Sequence, residues 1–217
     1  MFSYRHPHPA VTTNVVIFTI VEDRLKVLLV RRTRPPFEGH WALPGGFIDL
    51  SEDLEDGAMR TLERETGVRG VYLEQLYTFG HPDRDPRERV IAVSYYALVP
   101  FRRVKPRAGE DVDWFALDQR PGLAFDHDDI VSTAARRLAA KLGYSTIAFE
   151  FMPDEFTLSE LQRVHEIIQR ERIDKRNFRK RVLALGHIEA SGERRNGSHR
   201  PATLYRLKRP GQIAFTK

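Results

Sequence analysis

The sequence predicts an α+β chain in two parts: a mixed sheet-and-helix sandwich over residues 1–149, then a small basic unit of two helices and a hairpin over residues 150–217. Three observations lead there. β-Branched and aliphatic runs recur through the first two thirds of the chain. Helical spacing starts afresh after Pro153, a residue that breaks regular structure. The charge is also uneven: residues 150–217 hold 15 Lys+Arg against 9 Asp+Glu, whereas residues 1–149 hold 20 against 21.

Taken in order, VTTNVVIFTIV (11–21) and LKVLLVRR (25–32) read as two strands joined by the turn Glu22-Asp23-Arg24. Residues 52–66 carry helical spacing through Leu54, Ala58 and Leu62, with Gly67 as the C-terminal stop. Strands are expected at 71–79, 90–99 and 112–117, and a helix at 128–142. Tyr144 to Asp154 joins the two parts. In the second part, Thr157 and Glu160 form a capping box opening FTLSELQRVHEII, whose inner face is Leu158, Leu161, Val164 and Ile168. The turn RERI leads to Asp174, an N-cap for KRNFRKRVLAL, with Phe178, Val182 and Leu185 as the inner stripe. His187 to Ala190 and Ala202 to Leu207 would be hairpin strands, with Tyr205 a candidate core residue.

This second pattern reads as a winged helix-turn-helix, with Arg176, Arg179 and Lys180 pointing outward from the second helix toward a major groove. Lys175, Arg194, Arg195, Ser198, His199 and Arg200 would mainly contact phosphates, setting affinity and salt dependence. The expected partner is therefore double-stranded DNA. A solvated basic helix is the bland alternative, weakened by the correctly spaced partner helix and the basic hairpin tip.

The composition removes other classes. With no cysteine, disulfides and thiolate zinc sites are excluded. No apolar run approaches about 18 residues, and the opening MFSYRHPHPA lacks the apolar middle of a signal peptide. No membrane partner is expected, and the cytoplasm is the expected compartment.

GFIDLSEDLEDGAMRTLERETGV, from Gly46 to Val68, resembles the Nudix box: Gly46, Glu52, Arg60, Leu62, Glu65, Gly67 and Val68 all fall on pattern positions. The resemblance implies a Nudix-like sandwich, and a diphosphate cleft whose Mg²⁺ or Mn²⁺ ions are held by glutamates at helix positions i, i+3 and i+4. Here those positions are Thr61, Arg64 and Glu65. Two carboxylates are gone, and one is replaced by a cation. Glu63 is turned away by about 100°. The box thus reads as degenerate, with no catalytic residue, no metal and no cofactor expected. Glu52 and Arg60 would brace loop against helix. Glu65 is either a surviving weak ligand or a partner of Arg64 or Arg60, and Arg64 is a candidate to neutralise a diphosphate directly.

PFEGHWALPGGFID, LEQLYTFGHPDRDPRERVIAVSYYALV, LAFDHDDI and FTLSELQRVHEIIQRERIDKRNFRKRV together resemble the Nudix-related transcriptional regulators called NrtR. The resemblance implies a dimeric regulator, most often a repressor, of genes of NAD or related nucleotide and sugar metabolism. Its effector would be ADP-ribose or a relative. Arg84 and Arg87 are candidate phosphate contacts, with cross-linking of their own loop as the alternative. Trp41 and Phe47 are candidate stacking rings or core aromatics. Asp126-His127 is a helix cap or, through His127, a ligand contact. Of Arg31 and Arg32, strand alternation lets one reach the ligand, and Arg32 is taken as that one. The competing reading is an active hydrolase of the ADP-ribose pyrophosphatase type with a nucleic-acid-binding appendage.

Overall fold

The computed structural model describes residues 5–104, 111–195, 201–210 and 213–215. Seven strands form one mixed sheet: β1 (Ala10–Val21), β2 (Arg24–Arg31), β3 (Trp41–Ala42), β4 (Gly45–Phe47), β5 (Tyr72–Phe79), β6 (Val90–Leu98) and β7 (Val112–Ala116). β1 sits at the centre, parallel to β6 and antiparallel to β2 and β4. The turn between β1 and β2 is two residues, Glu22 and Asp23, both left-handed at φ 53° and 56°. This is the turn type whose twist matches antiparallel strands. Arg24, expected in the turn, instead begins β2.

The buried run Val15, Val16, Ile17 and Phe18 shows why β1 is central. Alternate residues face opposite sides. Val15 and Ile17 join Leu28, Tyr95 and Ala97 under α1 (Leu54–Thr66), through Ala58 and Leu62. Val16 and Phe18 join Val27, Leu29, Tyr96 and Leu98 under α2 (His127–Lys141), through Ile130, Ala134 and Leu138. The first part is thus a sandwich with one helix on each face.

The second core continues without a break into the C-terminal part. Leu142, Ile147 and Phe151 carry it to α3 (Leu158–Gln169) and α4 (Lys175–Ala184), where Leu161, Ile168, Phe178 and Val182 close it. The connecting segment is therefore packed: Ile147–Phe151 forms a short 3-10 helix, with Ile147 and Ala148 buried. The C-terminal residues dock there as well. Thr146 N–H donates to the Ala214 carbonyl at 3.0 Å, and Phe215 pairs with Ser145.

α3 opens with the capping box, in which Thr157 Oγ1 accepts from Glu160 N–H and the Glu160 carboxylate accepts from Thr157 N–H. Asp174 caps α4 by accepting from Asn177 N–H at 2.8 Å. The turn between them is pinned by Glu166, which accepts from Ile173 N–H, and by Gln162, which donates to the Ile173 carbonyl. The wing comprises β8 (Ile188–Arg195) and β9 (Ala202–Leu207). β8 runs further than the expected Ala190, past a register break beside Gly192 at φ 89°. Leu185 is half exposed and leaves the inner stripe to Phe178 and Val182. Tyr205 is partly buried and packs against the core, and Leu204 beside it is buried. Among the described residues, no helix is long and apolar enough to cross a membrane.

Candidate ligand cleft and nucleic-acid interface

The motif residues settle first. Asp53 caps α1 by accepting from Glu55 N–H, and Gly67 ends it in the left-handed region at φ 68°. Arg60 grips Glu52 with two bonds of 2.7 Å, tying the loop to the helix. Gly45 lies so close to β1 that a Cβ would sit 2.4 Å from Asn14 Oδ1 and 2.5 Å from the Thr13 carbonyl. Only glycine tolerates that approach. Gly46 pairs with Thr13 in the same ladder.

Thr61 is buried in α1, and Glu65 is buried with Arg64 Nε donating to its Oε1 at 2.6 Å. Of the two expected readings of Glu65, the one seen in the structure is partner of Arg64. Arg64 lies outside the cleft described next, turned toward Glu65, which corrects the expectation that it faces a diphosphate.

A cleft of about 140 Å³ opens over β1 and β4, lined by Arg32, Phe47, Arg84, Arg87, Phe125 and His127 among others. Five of the seven expected ligand residues thus converge from four separate segments. Trp41 does not join them: its ring packs edge-on against Phe115 at 4.8 Å and belongs to the core. Strand alternation decides this, since Arg31 pairs opposite Trp41 and Arg32 turns the other way.

Inside the cleft the cations differ. Arg84 is buried and donates to both oxygens of Asp126 at 2.8 and 2.6 Å. Asp126 therefore makes no side-chain cap on α2. Arg87 chelates Asp85 at 2.9 and 2.7 Å, and its guanidinium lies 5.5 Å from the Phe47 ring and 5.9 Å from the Phe125 ring. The Asp85 carboxyl is held below its usual range by that bond. Arg32 donates only to the carbonyls of Pro36 and Arg34, and among the described residues no carboxylate forms an ion pair with it. Burial lowers its pKa, and the Arg87 charge adds to that. Arg32 is the cation on which a negative ligand has most to gain.

His127 lines the cleft as a neutral ring. Burial lowers its pKa from 6.5 to about 4. Its Nδ1 accepts from Leu43 N–H at 2.9 Å, and its Nε2 lies 3.4 Å from the Asn14 amide nitrogen. It fixes the cleft floor and brings no positive charge. Phe125, which is not among the ligand residues expected from the sequence, has its ring centre 4.8 Å from the Arg32 guanidinium carbon and 5.3 Å from the His127 ring centre.

On the second unit, Lys175, Arg176, Arg179 and Lys180 all stand exposed on α4. Among the described residues none of these four enters an ion pair. On neighbouring elements Arg163 pairs with Asp23 and Arg206 with Glu189. Arg194 is exposed on β8. Arg195 corrects its expected role, because it binds Glu160 at 2.5 Å and the Glu155 carbonyl, bracing the wing against α3. Ser198, His199 and Arg200 lie outside the described residues.

Comparison with known proteins gives these surfaces a family. Residues 11–134 match the NUDIX domain model, and residues 148–207 match the NrtR DNA-binding winged helix domain model. The chain is 38% identical to the "ADPR responsive transcriptional repressor NtrR" of Acinetobacter baylyi, over 93% of this chain and 83% of that one. A crystal structure of Shewanella oneidensis NrtR complexed with a 27mer DNA superposes with TM-score 0.84 at 40% identity, covering 91% of this chain and 93% of that one. The first part alone is also 37% identical to an ADP-ribose pyrophosphatase of Methanocaldococcus jannaschii, over 59% of this chain and 75% of that one. A Nudix fold followed by an NrtR-type winged helix, matched along nearly its whole length, places this chain in the NrtR family.

Proposed function

We propose that the chain is an ADP-ribose-responsive transcriptional repressor, dividing near residue 149 into a sensor and a reader. The sensor holds the nucleotide without cleaving it, and the reader binds operator DNA as a homodimer in the cytoplasm. The observation that carries this is the exposed cationic face of α4, free of ion pairs among the described residues, in a chain matched nearly end to end by an ADPR-responsive repressor. Capped at its N-terminus and backed by α3, α4 has the form of a recognition helix entering a major groove. Arg32 and Arg87 supply the charge that a diphosphate needs, and Phe47 and Phe125 supply aromatic faces beside it. A volume of about 140 Å³ is smaller than the roughly 300 Å³ of the smallest drug-sized pockets. The cleft thus takes the diphosphate, and the rest of the nucleotide lies along its open mouth.

The divalent ions of Nudix hydrolases do not fit the residues present. A hard cation wants several oxygen ligands, whereas Thr61 is buried and Glu65 is bound by Arg64. Among the described residues, no cluster of three His, Asp or Glu side chains is placed to hold a metal. The likeness to a pyrophosphatase favours hydrolysis as the second reading, and the Arg64–Glu65 pair weighs against it. Fluorescence anisotropy on DNA upstream of the chain's own and neighbouring genes tests the proposal. Saturable binding should shift on adding ADP-ribose; DNA binding indifferent to nucleotide would sink the sensor. Mg²⁺-dependent cleavage of ADP-ribose, lost on Glu65→Gln, would establish the hydrolase instead.

A further inference from the structure

Phe125 of the cleft wall and Phe37, which packs against it, have left-handed backbones, at φ 58° and φ 60°. Neither is a residue type that visits this region readily. Such a conformation is unfavourable for an L-residue and persists where the surroundings over-determine it. For Phe125 the surroundings can be named. Before it, Leu123 N–H is held by the Asp128 carboxylate and Ala124 N–H by the Trp41 carbonyl, both at 2.8 Å. After it, Asp126 is clamped by Arg84 and His127 by Leu43 N–H.

The pinned flanks deliver the Phe125 ring to one place. It meets Phe37 edge-on at 4.8 Å, and the guanidinium carbons of Arg32 and Arg87 lie 4.8 and 5.9 Å from its centre. The two cations repel each other, and the Asp85 carboxylate beside them is bonded to Arg87. An aromatic face attracts both by its quadrupole without neutralising either. A carboxylate in its place would hold them too, but it would cancel the charge that a phosphate needs.

We propose that Phe125 is the positioning residue of the cleft: its left-handed backbone sets one ring against Arg32 and Arg87, and so holds both guanidiniums side by side where the two phosphates of a nucleoside diphosphate would lie. This rests on the ADP-ribose reading above. The sequence placed Arg32 and Arg87 among the ligand residues, but it gave no reason for two arginines to stay together before any ligand arrives.

Phe125→Gly, Phe125→Leu and Phe125→Tyr in the full chain test it, with side-chain Nε–H resonances of Arg32 and Arg87 recorded without ligand and calorimetry run with ADP-ribose and with inorganic pyrophosphate. Ring currents should shift both arginine resonances upfield in the parent and in Phe125→Tyr, and the shifts should vanish in the Gly and Leu variants. Phe125→Gly should melt no lower than the parent, since glycine removes the left-handed penalty, yet bind ADP-ribose about tenfold more weakly. Phe125→Tyr should stay within about threefold. Unmoved arginine resonances, or parent-like binding by Phe125→Gly, overturns the proposal. If the parent binds pyrophosphate but ignores ADP-ribose, the ADP-ribose reading fails while the pyrophosphate comparison still decides Phe125. Binding of neither overturns both.

Discussion

Two buried imidazoles make this protein sensitive to mild acid. His127 and His165 each have a pKa lowered from 6.5 to about 4, chiefly because burial disfavours the charged ring. Around His127, Asp126 and Asp128 pull upward while Arg84 and Arg32 push down. In the unfolded chain both rings protonate near 6.5, while the fold keeps them neutral to about 4. Between those values the unfolded state binds more protons, so stability falls as pH is lowered, by on the order of 3 kcal/mol per histidine. Urea midpoints should be level around neutrality and drop steeply across that window; a level profile throughout would contradict this. Arg84 makes a second prediction at the same scale. Its side chain is 4% exposed, so Arg84→Ala leaves Asp126 without its cation. The expected cost is about 3 to 5 kcal/mol by chemical denaturation, and a loss below about 1 kcal/mol would mean the pair behaves as a surface bridge.

The elements whose signals are local were legible in the sequence. Gly67 ends α1, and Thr157 with Glu160 opens α3, because each of these bonds spans no more than four residues. The unpartnered outer face of α4 follows from helical spacing in the same way. It yields a direct test: Arg179→Ala should cost about 1 to 3 kcal/mol in operator affinity and relax sequence choice. Equal losses on specific and random DNA would reduce Arg179 to a phosphate contact. What sequence could not show are contacts made at long range. Arg84 finds Asp126 across 42 residues, which turns a candidate phosphate ligand into a structural clamp. Arg195 reaches Glu160 across 35 residues and is likewise taken. Trp41 is drawn into the core by Phe115, on a strand its own motif does not mention. Phe125 lies within LAFDHDDI, but a left-handed phenylalanine has no sequence signature.

At the scale of the molecule, α2 joins the two activities. Its first residue, His127, lines the cleft, and its far end, through Leu138 and Leu142, shares one core with α3 and α4. Fifteen residues of α-helix span about 22 Å, which makes α2 the element through which a shift at the cleft would have to reach the reader. The shared core also predicts one cooperative unfolding transition by calorimetry and spectroscopy alike; two separated transitions would show that the halves fold independently. Coupling between two sites must be reciprocal. The most direct measurement is therefore ADP-ribose affinity, by calorimetry in Mg²⁺ buffer, for the protein alone and for its operator complex. The two affinities should differ by the factor by which ADP-ribose changes DNA affinity, with the nucleotide recovered intact. Equal affinities, or ADP-ribose recovered as cleavage products, would contradict a sensor that holds its ligand and signals to DNA.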